Sequence, residues 1–393
     1  MRAPHTAHPF PAFPVYSCAF VADDQFVAGG GGGASRTGIK NKLRLFRVSD
    51  DRQLNILSEL ELEKDEDAPM SMASHIESRT LVCGINSSAA KLEKGVNENC
   101  RKFSISGDEH KQLVTRGTLP SRNAEDYQRV TVLSPDGRFL AVAGEHDFSL
   151  LAYDTLSPIC HPIHVTNGEI YDATFSSSHV VLATSSSISF YALPTFSAAD
   201  IEKSPRPKKK GKHTSGPPLS GPSTSLQELK LVKTFDPPSI SGVPSGSKIT
   251  FRAVRLHPLQ QNTLYTVVNV TLPRAPKAKT AKKQAYVQKW KIASSSEDHT
   301  FDARMEATRK TCDGNLTCFD VSPDGKLLAF GASDYSLGVL DSITLAPLLS
   351  ILKAHEFPVT TVRFNPASKL LVSGGVDSSL RVVSISEKLG GQC

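Results

Sequence analysis

The chain has no run of about eighteen or more apolar residues, so nothing in it reads as a membrane-crossing helix. Its first residues, MRAPHTAHPFPAFPV, lack the apolar centre of a secretory leader. There is no C-x-x-C pair, and the seven cysteines (Cys18, Cys83, Cys100, Cys160, Cys312, Cys318 and Cys393) are odd in number, a usage that suits a reducing compartment. None of the twelve histidines falls in an HExxH or in a Cys/His cluster with zinc spacing, and no G-x-S-x-G elbow occurs. The usual signatures of a metal-dependent or serine hydrolase are therefore missing.

What is present is the composition of a folded protein, 39% hydrophobic and 21% charged over 393 residues, enough chain for a large core. The formal net charge of +6 comes from two short stretches. Lys203, Arg206, Lys208, Lys209, Lys210 and Lys212 form one, and Arg274, Lys277, Lys279, Lys282 and Lys283 the other. Without them the body is mildly acidic, which disfavours a nucleic-acid footprint spread over the surface.

Near the C-terminus, AHEFPVTTVRFNPASKLLVSGGVDSSLRVVSI contains three short alternating strands separated by turn residues, a unit that resembles a WD40 repeat. His355, Ser373 and Asp377 occupy its polar turn positions and are expected to hydrogen-bond one another in a structural role. Related segments end on one bulky apolar residue each: Phe46, Phe103, Tyr153, Tyr191, Trp290, Leu340 and Val383. Asp147, Asp334 and Asp377 each stand six residues before such an ending, and the paired SPDG turns Ser134 to Gly137 and Ser322 to Gly325 join first to second strands. The runs are four to eight residues long and broken by Gly, Asp and Ser, which selects strands over helices. The expected fold is all-β, a single seven-bladed WD40-type β-propeller over residues 1–393. The last unit shows only three strands, and residues before Phe13 are expected to supply the fourth.

Two segments interrupt the pattern. Residues 197–247, rich in Pro, Ser, Gly and Lys, read as a disordered insertion between blades four and five. Residues 273–284 read as a basic hairpin tip inside blade five. The run PRPKKKGKH is open to three readings: a solvated insertion, attraction to an anionic membrane surface, or a nuclear-localisation or nucleic-acid patch.

The most unusual stretch is GGGGGASRTGIKN, Gly29 to Asn41, between strand-like QFVA and KLRLFRV. Five glycines exceed what core packing explains and point to positive φ or close backbone approach. A P-loop fails, because Gly38 is followed by Ile39 and a strand. A dinucleotide fingerprint is met by Gly29, Gly31 and Ala34, but the helix that would hold the pyrophosphate is absent. A flexible hairpin tip is the plain reading, and T-G-I-K-N is more ordered than a tip requires.

The run VAGGGGGASRTGIKNKL on a seven-unit propeller resembles the prolactin regulatory element-binding protein and Sec-twelve family, guanine-nucleotide exchange factors of the Sar GTPase that starts COPII coat assembly at the endoplasmic reticulum. The resemblance implies that the loop protrudes from blade one, is organised by a potassium ion and contacts the GTPase beside its nucleotide. Thr37, Gly38, Ile39 and Asn41 would be the exchange residues, and Gly29, Gly30, Gly31, Gly32, Gly33 and Asn41 would hold the ion. It also implies secondary roles for Asp67 and Pro69 in the acidic turn EKDEDAP, which otherwise reads as solvated. The partner would be a Sar-type small GTPase, met at the cytosolic face of the endoplasmic reticulum, with no covalent chemistry. Members of the family carry a membrane helix beyond the propeller, and none occurs in the sequence up to EKLGGQC. The rival reading is a WD-repeat scaffold without exchange activity.

Overall fold

A computed structural model describes residues 3–34, 38–107, 109–120, 123, 125–194, 226–294, 301–386 and 389. Its strands form seven four-stranded antiparallel sheets. Blade one comprises Val15–Ala22, Gln25–Gly30, Lys42–Val48 and Leu54–Glu61, blade two Ser71–His75, Thr80–Gly84, Cys100–Ser106 and Glu109–Arg116. Blade three comprises Val130–Leu133, Phe139–Ala143, Asp147–Ala152 and Ile163–His164, blade four Ile170–Phe175, His179–Thr184, Ile188–Ala192 and Lys230–Phe235. Blade five comprises Lys248–Leu256, Thr263–Thr271, Lys283–Ser294 and Phe301–Cys312, blade six Leu316–Val321, Leu327–Ala332, Leu337–Asp341 and Pro347–Ile351. Blade seven takes Val359–Phe364, Leu370–Gly375 and Ser379–Ser384, and its outermost strand is His5–Pro9 from the other end of the chain.

His5 lies opposite Val383 and Pro9 opposite Ser379, so the closing strand comes from before Phe13 as expected. First strands of neighbouring blades contact one another around the ring, the seventh meeting the first. A closed ring leaves no long unpaired sheet edge.

Six of the seven bulky residues lie in the third strand of their blade, and Tyr153 lies one position past it. Phe46, Phe103, Tyr153, Trp290, Leu340 and Val383 are buried, Tyr191 half-buried. Phe46 packs with Phe26 of its own blade and with Val372 and Leu380 of blade seven, so these side chains weld adjacent blades.

The SPDG turns are built alike. In each, the serine hydroxyl donates to the aspartate (Ser134 to Asp136, Ser322 to Asp324, both 2.6 Å) and accepts the amide of Phe139 or Leu327. Asp334 and Asp377 each accept the amide and the hydroxyl of the serine two residues on. Asp147 departs from the pattern: it opens a strand and faces His164 at 2.9 Å.

His355 is bound through Nε2 to Ser373 Oγ (2.9 Å) and through Nδ1 to Asp377 Oδ2 (3.1 Å), the polar network the repeat predicts. Burial pulls His355 below its ordinary value of 6.5 despite Asp377, and burial likewise lowers His5, His110, His179 and His257. The folded protein therefore protonates these rings at lower pH than the unfolded chain, which takes up protons near pH 6.5, so stability falls as pH drops through that value. Denaturant titrations at about pH 7.5 and about pH 5.5 are expected to show the lower midpoint at the acid value. Equal midpoints would contradict neutral burial of the histidines.

The expected insertion 197–247 is too long. Residues 197–225 lie outside the described residues, but Lys230–Phe235 is a strand that pairs with Ile188–Ala192 to complete blade four, and Ile240 is buried against blades four and five. The strand, KLVKTF, mixes three apolar residues with two lysines and a threonine, and the adjoining Pro- and Ser-rich composition masked it. The loop between Thr263–Thr271 and Lys283–Ser294 spans residues 272–282, so Lys283 and Gln284 of the expected tip already belong to a strand.

Candidate functional site

The glycine run divides into two parts. Gly29 and Gly30 are the last residues of a strand flanked on both sides, with Gly29 opposite Ser17 and Leu43 and Gly30 opposite Val15 and Lys42. A β-carbon on Gly29 would stand 2.6 Å from Pro69 Cβ and 2.9 Å from Met72 Cε. These two glycines serve the close backbone approach that the run suggests, and the loop proper begins at Gly31. Gly29→Ala is expected to cost about 1–3 kcal/mol of stability by overpacking, read as a lower denaturation midpoint. An unchanged midpoint would mean that Pro69 does not fix this contact.

Gly31 donates its amide to Pro14 O (2.9 Å), and Gly33, with φ +70°, turns the chain outward. Asn41 closes the loop from its far end. Its Oδ1 accepts the Gly33 amide (2.9 Å), and its Nδ2 donates to Gly33 O (3.0 Å) and to Glu66 O (2.6 Å). The Asn41 carbonyl accepts the amide of Leu62 (2.9 Å). One buried amide thus ties both ends of the loop to the connector between blades one and two. Between these ties Gly38 is exposed with φ +76° and Ile39 is half-buried. Thr37 lies outside the described residues.

The acidic connector is solvated in its first half, where Glu63, Lys64 and Asp65 are exposed, and buried in its second, from Glu66 to Pro69. Glu66 is only 3% exposed and pairs with Arg101 of blade two at 2.8 Å, while its Oε2 accepts the Glu63 amide at 3.1 Å. Arg101 also donates through Nε to Glu98 O. Asp67 accepts the amides of Ala68 and of Ala34 in the loop, and burial raises its pKa above the usual carboxylate range. Among the described residues Asp67 has no ion-pair partner. Pro69 is buried against Gly29 and accepts the Ser17 hydroxyl (2.5 Å). The structure therefore brings Asp67 and Pro69 to the foot of the glycine loop.

Glu66 and Arg101 were not singled out from the sequence. Glu66 was hidden in a run of five charges, and Arg101 stands beside a second cation, Lys102, in the strand CRKFSIS, with nothing local to single it out.

Among the described residues no group of three or more His, Cys, Asp or Glu could hold a metal ion. Burial pushes the thiols away from nucleophilic use, Cys18 to about 11 and Cys100 to about 12. A large monovalent cation, which accepts backbone carbonyls, is a separate case. The residues that could hold one are the Gly31–Gly33 turn through its carbonyls, Asn41 through Oδ1, which already accepts the Gly33 amide, and Asp67, which reaches the loop at Ala34. Gly29 and Gly30, inside the sheet, fall outside that set.

A family model described as "WD domain, G-beta repeat" matches residues 346–384. The chain is 33% identical over 136 residues to the guanine nucleotide-exchange factor SEC12 of Candida glabrata, covering 33% of this chain and 29% of that protein. It is 22% identical over 396 residues to the putative guanine nucleotide-exchange factor SED4 of the same organism, covering 96% of this chain and 32% of that protein. The chain thus spans about a third of the length of these curated relatives. Among solved structures, the WD40 β-propeller domain of Doa1 superposes with a TM-score of 0.57 at 12% identity, each chain fully covered, a likeness of fold alone.

Proposed function

Since the chain is a WD40-type propeller homologous to the SEC12 and SED4 exchange factors, we propose that it is itself a guanine-nucleotide exchange factor, acting on a Sar-type small GTPase through the blade-one loop. The observation that carries this reading is the way the loop is held. A flexible hairpin tip needs no anchors, whereas this one is clamped by Asn41 at both ends, by Asp67 at Ala34, and through Glu66 to the Arg101 guanidinium of the next blade. Such bracing removes most of the ordering entropy before the partner arrives. Gly38 and Ile39 are then presented on a fixed stem.

Exchange on this reading makes and breaks no covalent bond. The braced loop competes with the nucleotide for the mobile segments of the GTPase, and binds the nucleotide-free state more tightly than the loaded one. A potassium ion held by the Gly31–Gly33 turn, Asn41 and Asp67 would supply charge to offset the buried carboxylate. The site of action, by likeness to the family, is the cytosolic face of the endoplasmic reticulum at the start of COPII vesicle formation. Among the described residues no helix is long and apolar enough to cross a membrane.

The test is the rate of GDP release from a purified Sar-type GTPase with and without the protein, in potassium and in sodium buffer, with thermal melts in both salts. Accelerated release, faster in potassium, together with a melting point raised by potassium in the wild type but not in Asp67→Asn, is the expected result. Binding of the GTPase without acceleration would leave a scaffold. Equal melts in the two salts would remove the ion from the account.

A further inference from the structure

On the face that carries the glycine loop, the central channel opens into a cavity of ≈ 330 Å³. In five blades the innermost strand has one extra residue near its start: Tyr16, Tyr171, Arg252, Thr317 and Thr360 each stand at a register shift, and all five line this cavity. A bulge turns its side chain out of the ladder, and here the repeat of the device aims five side chains at one point.

The charges in the cavity are unevenly matched. Arg129 pairs with Glu169 (2.8 Å) and Glu145 (3.4 Å), Arg255 pairs with Asp172, and Arg363 faces Asp320 (3.8 Å). Arg252 lies 4.8 Å over the Tyr171 ring and donates to Thr317 O at 2.8 Å, and among the described residues no carboxylate lies within ion-pair distance of it. These two contacts hold the guanidinium in place and use one of its donors, leaving the others for a guest.

Two features identify the guest as a protein side chain. The connector from blade six to blade seven puts Pro358 on the cavity wall, and the residue before it, Phe357, is 53% exposed, an apolar neighbour that a lone ion would not use. The cavity also adjoins the glycine loop. Tyr16 lines it while standing close enough to Asp67 that the carboxylate, after burial, raises the phenol's pKa.

We propose that the channel mouth is a second docking pocket for the GTPase, in which Arg252 takes an acidic side chain of the partner and Phe357, next to Pro358 of the wall, covers its flank. This rests on the exchange reading and assigns to Arg252 affinity rather than rate. The pocket sets how much exchange factor is needed, and the loop sets how fast the nucleotide leaves.

The experiment is GDP release from a Sar-type GTPase over a concentration series of the full chain, for wild type, Arg252→Gln, Arg252→Glu and Phe357→Ser, each checked by thermal melt. Arg252→Gln keeps a donor for Thr317 O. It is expected to raise the half-saturating concentration at least about tenfold with the saturating rate unchanged, and Arg252→Glu more. A half-saturating concentration equal to wild type in an otherwise active protein would overturn the pocket and leave the exchange reading intact. If wild type does not accelerate release, the exchange reading fails, and direct titration with nucleotide-free GTPase decides: binding lost in Arg252→Gln supports the pocket, and no binding by wild type overturns it. Titration with inorganic phosphate is expected to show no saturable binding. Saturable phosphate binding that Arg252→Gln removes, with GTPase affinity unchanged, would overturn the proposal in favour of a small-anion site.

Discussion

Asn41→Ala is expected to reduce stimulated GDP release at least about 100-fold while leaving the propeller folded. The substitution removes three hydrogen bonds at once, two to Gly33 and one to Glu66 O, and leaves the buried Glu66 carbonyl without that donor. At about 1 kcal/mol each, with a further cost for the stranded groups, some 3 kcal/mol of loop order is lost, enough to shift the braced state by about two orders of magnitude. Asn41→Asp separates the contributions, since a carboxylate can accept the Gly33 amide but cannot donate to Gly33 O or Glu66 O. It is expected to fall close to alanine. Limited proteolysis gives an independent reading, with cleavage between Gly33 and Lys40 faster in both variants than in the wild type. A fully active Asn41→Ala would show that the clamp is incidental.

Arg101→Met is expected to lower global stability by about 3–5 kcal/mol, among the largest costs of any single substitution here. It leaves Glu66, 3% exposed, with its charge uncompensated and only the Glu63 amide to satisfy it. Adding Glu66→Gln removes that charge while keeping an acceptor for the amide, so the double variant is expected to recover most of the loss. Denaturant unfolding of the two single variants and the double closes the cycle. A loss below about 1 kcal/mol in Arg101→Met would mean that water reaches Glu66 and that the bracing through blade two is loose.

Much of this fold was legible because repetition supplies its own check. Seven bulky third-strand positions recur with related turns, and a misread unit would have broken the series; Val383 without its tryptophan and Tyr191 half-buried still fall in register. The SPDG turns and the His355 network could be read because their side chains bond within a few residues or within one repeat. Lys230–Phe235 was missed because an outermost strand needs little apolar content, and half of this one is lysine and threonine.

The site was legible in part. A glycine run and an Asn at its end mark a loop from local sequence alone. The same run hid the difference between Gly29 and Gly30, needed for close approach to Pro69 and Pro14, and Gly31 to Gly33, needed for the turn. Nothing local distinguishes the two. The Glu66–Arg101 pair joins residues 35 positions apart across two blades, and Arg252 gains its meaning only from the carboxylates that the other cavity arginines have and it lacks. Such relations exist only once the ring has closed.

The central claim is that the blade-one loop is the exchange element, and Ile39, half-buried on its return limb, tests it most directly. Release of fluorescent GDP from a Sar-type GTPase would be followed by stopped flow with the wild type and with Ile39→Ala, whose melting curve and GTPase binding are measured alongside. The account predicts acceleration by the wild type and its near-complete loss in Ile39→Ala, with melting temperature unchanged and binding retained through the channel mouth. An Ile39→Ala protein that releases GDP as fast as the wild type would contradict it.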